Sequence, residues 1–385
     1  MSESTCPACG STATSTLYRV DAIPVQSCVL LDTEEAARDF PRADLSLAFC
    51  EDCGFAYNAI FEPGLVDYAA ATEESQHFSG TFNRFAARLV DEIAANYDLG
   101  GRQTLEIGCG KGDFLAALAA RTGTRALGVD PGYLPDRAVG HVDVRREYFA
   151  PEAIDIAPDF IVCRHTLEHI ADVATFVDGV RSVANGSGTH LFFETPDARR
   201  VLAEGAFWDI YYEHCSYFTQ GSHARLFRRA GFGVSALYLD FDNQYIMQYA
   251  DGVADRPPLL AEDDLDTVRG LARAFPETVR RQRVYWSDFV LSRARDGLKV
   301  AVWGGGSKAV SFLSSNGLNG EVGRVVDINP HKQGKYLPGT GHRVEAPEDL
   351  AADPPDTVIA MNPAYRDEIA ATLASLGLQA ELVAL

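Results

Sequence analysis

The sequence predicts an α/β protein built on a doubly wound, largely parallel sheet, preceded by a small metal-binding piece and followed by a second βαβ piece. Three observations carry this. Short β-rich runs, "TLEIG" (104–108), "ALGVD" (126–130), "DFIVC" (159–163) and "HLFFE" (190–194), alternate with helical stretches, the pattern of helices layered on parallel strands. The same strand, glycine turn and helix restart at "LKVAVWGGGSKAVSFL". Ahead of both stand two Cys-x-x-Cys pairs. A chain of 385 residues exceeds one ordinary core, and the expected boundaries are 1–70, 71–255 and 256–385.

In the first piece, "CPAC" holds Cys6 and Cys9, and "CEDC" holds Cys50 and Cys53. Adjacent thiolates at this spacing share one tetrahedral zinc, and four of them close a structural site with no open position. The long gap from Cys9 to Cys50 requires a small β excursion to return the chain. Gly54, directly after Cys53, permits the tight turn around a metal. Cys28 is expected to be a small buried residue.

Composition narrows the partners. A formal charge of −20, from 34 Lys+Arg against 54 Asp+Glu, argues against nucleic acid or an anionic membrane, both of which demand local cation density. A small anionic ligand needs only a few aimed donors. No stretch approaches the roughly 18 apolar residues of a membrane helix. The start, "MSESTCPACG", lacks the basic segment and apolar run of a secretory signal. A cytoplasmic location is expected.

In the middle piece "FAARLVDEIAANYDL", "GDFLAALAA" and "DVATFVDGVRSVA" have helical periodicity, and "GVSALYLD" and "NQYIMQYA" complete the sheet. The run "TLEIGCGKGDFL" feeds an apolar strand into a glycine-rich turn and a helix. Gly108, Gly110 and Gly112 let the backbone approach a ligand and expose the helix N-terminus. Asp130 ends the next strand, placed to accept hydrogen bonds from ribose hydroxyls. NAD-binding proteins share this architecture. Glu106, two residues before the first glycine, would repel a pyrophosphate and attract a cationic ligand.

The third piece opens with a long helix from "DDLDTVRGLARAF", expected to be interrupted at Pro276. "RVVDIN", "TVIAMN" and "AELVAL" are its remaining strands. Gly304 opens its glycine turn, Ser307 and Lys308 supply a hydroxyl and a charge suited to phosphate, and Lys332 and Lys335 add charge in a glycine-rich loop.

"LEIGCGKGDFL", the acid ending the second strand and "DFIVCRHTLEHI" resemble the motifs of class I S-adenosylmethionine (SAM)-dependent methyltransferases. The order of zinc-binding N-terminus, SAM domain and second Rossmann-like domain resembles the sugar C-methyltransferases of deoxysugar biosynthesis over essentially the whole chain. Its most specific piece is Tyr211, Tyr212, Glu213, His214. The resemblance implies SAM contacts from Glu106, Gly108, Gly110 and Asp130, with Arg164 and His165 near the methionine or adenine end. It also implies a nucleotide-linked ketosugar as substrate, its diphosphate held by the third piece. An NAD site there is the rival, making the chain an NAD(P)-dependent sugar oxidoreductase.

Methyl transfer to a carbon beside a ketone needs a base at the C–H and donors at the oxygen. His214 suits the first task, unless it is a capping or core histidine. Glu213 orients it or contacts the sugar. Tyr211 and His169 are the expected donors, and Tyr212 and Tyr217 packing residues. Two departures stand at the acceptor: Gln76 replaces the family's tyrosine, followed by His77, and Asp242-Asn243-Gln244-Tyr245 replaces a Gly-Gly-Ser-like turn. They make Gln76 and Asn243 candidate substrate contacts and His77 a second candidate for proton transfer. They also leave carbon, oxygen and nitrogen open as the methylated atom.

Overall fold

The computed structural model describes residues 5–70, 72–134, 142–184 and 186–385. The described residues begin with the Cys6–Cys9 turn, then β1 (Thr14–Pro24), α1 (Glu34–Arg38), β2 (Arg42–Cys50) and β3 (Ala56–Asn58). β1 and β2 are antiparallel, with Thr14 opposite Cys50. This hairpin is the excursion that brings the second cysteine pair back beside the first. Both knuckles close alike: Gly10 N–H donates to Cys6 O at 2.8 Å and Gly54 N–H to Cys50 O at 2.9 Å. Both glycines have φ above +70°, where a side chain would be strained.

The middle of the chain runs α2 (Gly80–Asn96), β4 (Gln103–Ile107), α3 (Asp113–Thr122), β5 (Arg125–Val129), β6 (Asp143–Arg145), β7 (Phe160–Arg164), α4 (Val173–Val183) and β8 (His190–Pro196). α5 (Ala198–Glu204), β9 (Ser216–Tyr217), α6 (Gln220–Arg229), β10 (Gly233–Asp240) and β11 (Tyr245–Asp251) follow. The seven-stranded sheet has the order β10-β11-β8-β7-β4-β5-β6. Its strands from β4 to β8 are parallel, and β10 and β11 close it as an antiparallel hairpin. The strand order reverses between β4 and β7, which opens a crevice at their C-terminal ends. Strand β9 leaves this unit and pairs with β3, making the first sheet four-stranded.

The third unit contains α7 (Leu265–Arg295), β12 (Val300–Trp303), α8 (Ser307–Asn316), β13 (Arg324–Val326), β14 (Val344–Glu345), β15 (Thr357–Ala360), α9 (Arg366–Ser375) and β16 (Glu381–Ala384). Its sheet is parallel, in the order β14-β13-β12-β15-β16. The expected interruption at Pro276 is corrected: α7 is one helix running through it. Proline removes a backbone donor and crowds the preceding turn, costing about 3 kcal/mol. Here the stripe Val268, Ala272, Phe275, Val279, Trp286 and Val290 is buried, and that apolar contact holds the helix together on both sides of the proline.

One apolar core joins the four-stranded and five-stranded sheets, and a second, with Ala48, Phe55 and Tyr57 packed beside Leu105, Ile107 and Ile161, joins the four-stranded sheet to the seven-stranded one. Leu47 and Phe49 of β2, Phe207 and Trp208, Trp286 of α7 and Phe312 of α8 belong to a single cluster. Ser311 of α8 donates to Ile210 O at 2.7 Å. The stretch beginning at residue 207 is thereby fixed against the second glycine turn.

Candidate active site

Strand β4 delivers Glu106 and the first glycine turn to the crevice. Gly108, Gly110 and Gly112 all have positive φ, and a Cβ on Gly108 would lie 1.9 Å from Thr166 Oγ1. Only glycine fits there. Asp130 organises the turn, accepting from Gly110 N–H at 2.8 Å and Gly132 N–H at 2.7 Å. Glu106 is buried, and its Oε2 has no hydrogen-bond partner. Burial pushes its carboxyl up to about 8, against the pull of Arg164. A buried carboxylate in that condition favours a cation beside it.

Arg164 and His165 line the cavity but are engaged by the protein. Arg164 Nε donates to Glu194 Oε2 at 2.6 Å and its Nη2 to Oε1 at 3.3 Å, while its guanidinium covers the Phe114 ring. His165 lies 2.9 Å from Glu194 through Nε2 and 3.4 Å from Glu168 through Nδ1. Burial alone would lower its pKa, but the two carboxylates outweigh it and raise it to about 9. Both residues line the cavity and also brace its wall.

Tyr211, Glu213 and His214 lie on the same cavity of about 660 Å³. His214 is buried; desolvation, followed by the neighbouring charges of His169 and His165, holds its imidazole well below the usual value. Tyr211 packs on it with ring centroids 4.1 Å apart. Glu213 does not orient His214. Its carboxylate accepts from Ser27 N–H at 3.1 Å and from the Ser27 hydroxyl, which lies 2.7 Å from Ser307 Oγ. One chain of polar atoms thus links the first, middle and third pieces. Tyr212 is buried, accepting from Glu62 N–H. Tyr217 donates to Tyr211 O at 3.3 Å.

His169 is anchored by Nδ1, 3.1 Å from Glu213 O. A carbonyl can only accept, so Nδ1 carries the proton and the neutral ring presents a lone pair at Nε2. Its expected role as donor therefore requires the imidazolium. Gln76 is fixed by Tyr365, whose hydroxyl donates to its Oε1 at 2.6 Å, and its Nε2 donates to the Tyr245 hydroxyl at 3.4 Å, which leaves the second N–H as a donor. His77 lines the cavity but pairs with Asn83 at 3.1 Å and packs on Phe82. Asn243 is corrected: it sits exposed at the β10–β11 turn with φ +57° and does not line the cavity, whereas Gln244 and Tyr245 do.

Gly304, Ser307, Lys308 and Lys332 all line the cavity. Lys308 is ion-paired to Asp209, and Lys332 lies 3.5 Å from Asp327. The second turn repeats the construction of the first: Asp327 accepts from Gly305 N–H and Asn329 N–H, each at 2.8 Å. Lys335 is outside, paired with Asp32. Cys28, expected as filler, faces the cavity 3.4 Å from Ser307 Oγ.

Comparison with known proteins bears on this geometry. Residues 77–237 match a methyltransferase domain family, and residues 260–381 match the C-methyltransferase C-terminal domain family. The C-methyltransferase NovU of Streptomyces niveus is 27% identical over 94% of this chain and 90% of its own length. This chain is a SAM-dependent methyltransferase. The two domain matches and the NovU likeness support a C-methyltransferase family, and the middle unit has the class I SAM methyltransferase Rossmann-like fold. A ubiquinone biosynthesis O-methyltransferase of Acinetobacter baumannii is 32% identical over only 28% of this chain and 48% of its own. Among solved structures, a SAM-dependent methyltransferase from Mesorhizobium loti aligns over 43% of this chain and 97% of its own at 16% identity and TM-score 0.35.

Two features of the methyltransferase escaped sequence reasoning. Glu73, buried just before the cavity segment 75–79, lies 2.5 Å from Lys111 of the first glycine turn and accepts from Asn329 at 3.1 Å. Glu194 and Glu168 form the carboxylate floor under His165. A glutamate inside a strand and an Asn three residues past "RVV" carry no periodic signal; only folding brings them together. At the other end, Cys6, Cys9, Cys50 and Cys53 lie with their sulfurs within 4.8 Å of one another. The pairs Cys6–Cys53 and Cys9–Cys50 are 3.7 and 3.5 Å apart. A tetrahedral zinc with bonds of about 2.3 Å sets sulfurs roughly 3.8 Å apart, so the donor set fits.

Proposed function

We propose that this methyltransferase transfers a methyl group to a carbon of a nucleotide-linked ketosugar, with His214 as base. One observation carries the reading. The Gly108–Gly110 turn, Gly304, Gly306 and Ser307 of the second turn, and Tyr211, Glu213 and His214 all line a single cavity, so a methyl donor and a nucleotide-bearing acceptor can share it. Glu106, Gly108, Gly110 and Asp130 hold SAM, which supplies an electrophilic methyl group. The unpartnered oxygen of Glu106 suits an ammonium, because a buried carboxylate gains most from a paired cation.

The leaving sulfide needs no protein acid, so the chain's own task is to make and aim the nucleophile. Burial keeps the His214 lone pair available at neutral pH. The proton it takes is made acidic by donors at the adjoining oxygen. Burial keeps Tyr211 protonated, and Tyr211 with Gln76 Nε2 serve as those donors. Ser307, Lys332 and the N-terminus of α8 receive the phosphates. One structural zinc is held by the four cysteines, and the reaction belongs to the cytoplasm, where nucleotide sugars are made.

Mass analysis of purified protein with SAM and a panel of nucleotide sugars tests the class. The carbon acceptor has its own test: solvent deuterium should enter the acceptor when SAM is replaced by its demethylated product. Methylated product without carbon-bound deuterium would move the reading to an oxygen or nitrogen acceptor.

A further inference from the structure

Glu168, His169 and His214 each present a ligand atom, and the three atoms lie within 4.8 Å of one another on the cavity wall. We propose that they form a second metal site, separate from the four cysteines and open to the cavity, which takes a divalent transition cation such as Zn²⁺, Ni²⁺ or Co²⁺. Three independent features point there. Glu168 is 2% exposed, and its Oε2 has no hydrogen-bond partner, while Oε1 lies 3.4 Å from His165 Nδ1. A buried carboxylate oxygen without a partner is a costly arrangement that a cation relieves.

His169 is built like a ligand. Its Nδ1 is fixed on the Glu213 carbonyl at 3.1 Å, the outer contact that sets tautomer and ring angle in metal-binding histidines. Nε2 is left with a lone pair. The His214 ring stands edge to face with it, centroids 4.7 Å apart, and makes no side-chain hydrogen bond among the described residues. Two imidazoles and one carboxylate select Zn²⁺, Ni²⁺ or Co²⁺ over Mg²⁺ or Ca²⁺, which prefer oxygen. Three protein ligands leave further positions open toward the cavity.

The site has a consequence that rests on the base reading of His214: a metal bound there occupies the lone pair that proton removal needs, so it inhibits. Cobalt titration of the intact protein, its cysteine site already filled with zinc, provides the test. The wild type should take up one Co²⁺ with d–d bands and no thiolate charge-transfer band. E168Q, H169N and H214N should each lose at least 10-fold in Co²⁺ affinity while keeping zinc content and SAM affinity, which check the fold. A wild type that binds no cobalt, or three variants that bind it as well as wild type, overturns the site. Cobalt bound with turnover unchanged keeps the site and overturns the base assignment instead.

Discussion

His169 and His214 meet with ring planes at 89°, yet only His169 has a main-chain anchor, the Glu213 carbonyl at 3.1 Å from Nδ1. The anchored ring has a fixed lone pair, whereas the His214 ring is held by packing on Tyr211, His169 and Tyr217, with no hydrogen bond committing either nitrogen among the described residues. On the proposed reading, that difference suits His214 to carry the proton and His169 to stay its fixed neighbour.

Replacing His214 by Asn should keep SAM affinity and lower turnover by about 100-fold or more, the scale of general-base catalysis. His169→Asn should cost less, because it removes a neighbour of the base. His77→Asn, the third arm, should cost least. Steady-state kinetics with SAM binding checked in all three decides it: normal turnover in His214→Asn removes the base assignment.

Glu106 gives a pH dependence. Burial raises its carboxyl to about 8, so the free protein keeps that proton at pH 6–7, where an exposed glutamate is ionised. A bound ammonium favours the carboxylate, so SAM binding should expel up to one proton and tighten as pH rises toward 8. Calorimetry in buffers of different ionisation enthalpy counts that proton. Glu106→Gln should bind SAM more weakly and release none.

Asp130→Ala should weaken SAM binding by about 1–3 kcal/mol through lost charge-assisted bonds. The same carboxylate holds Gly110 N–H and Gly132 N–H, so the turn should also loosen, visible as faster amide exchange at Gly110. SAM bound as tightly as by wild type would place the cofactor elsewhere.

Gly108→Ala should abolish SAM binding with little change in helix content. Its Cβ would meet the Thr166 side chain at 1.9 Å and sit at φ +69°. Gly108→Ala combined with Thr166→Gly should recover part of the affinity by removing the clash but not the strained φ. Calorimetry on both variants measures this.

Metal analysis should find one zinc per chain, and Cys50→Ala should release it and lower the melting temperature, since binding and folding are linked at such sites. Wild-type protein free of zinc would end the assignment.

The four cysteine positions, both glycine turns and the alternating strands were legible in the sequence because each rests on local rules: metal-ligand spacing, positive φ and hydrophobic period. Pro276 misled for the same reason. A local rule predicted a break, and the buried stripe from Val268 to Val290 overrode it. Asn243 is expected at the acceptor from its neighbours in sequence, but Asp242 and Asn243 form the exposed apex of the β10–β11 turn, and only Gln244 and Tyr245, where the chain re-enters the sheet, line the cavity. The sequence by itself determined which segments would form the two turns and which run would carry ionisable groups. Only the tertiary structure decided whom those groups face. Glu213 joins Ser27 across 186 positions, and Ser27 meets Ser307 across 280. Partners that distant are chosen by how three sheets pack against one another through shared cores, which no residue spacing encodes.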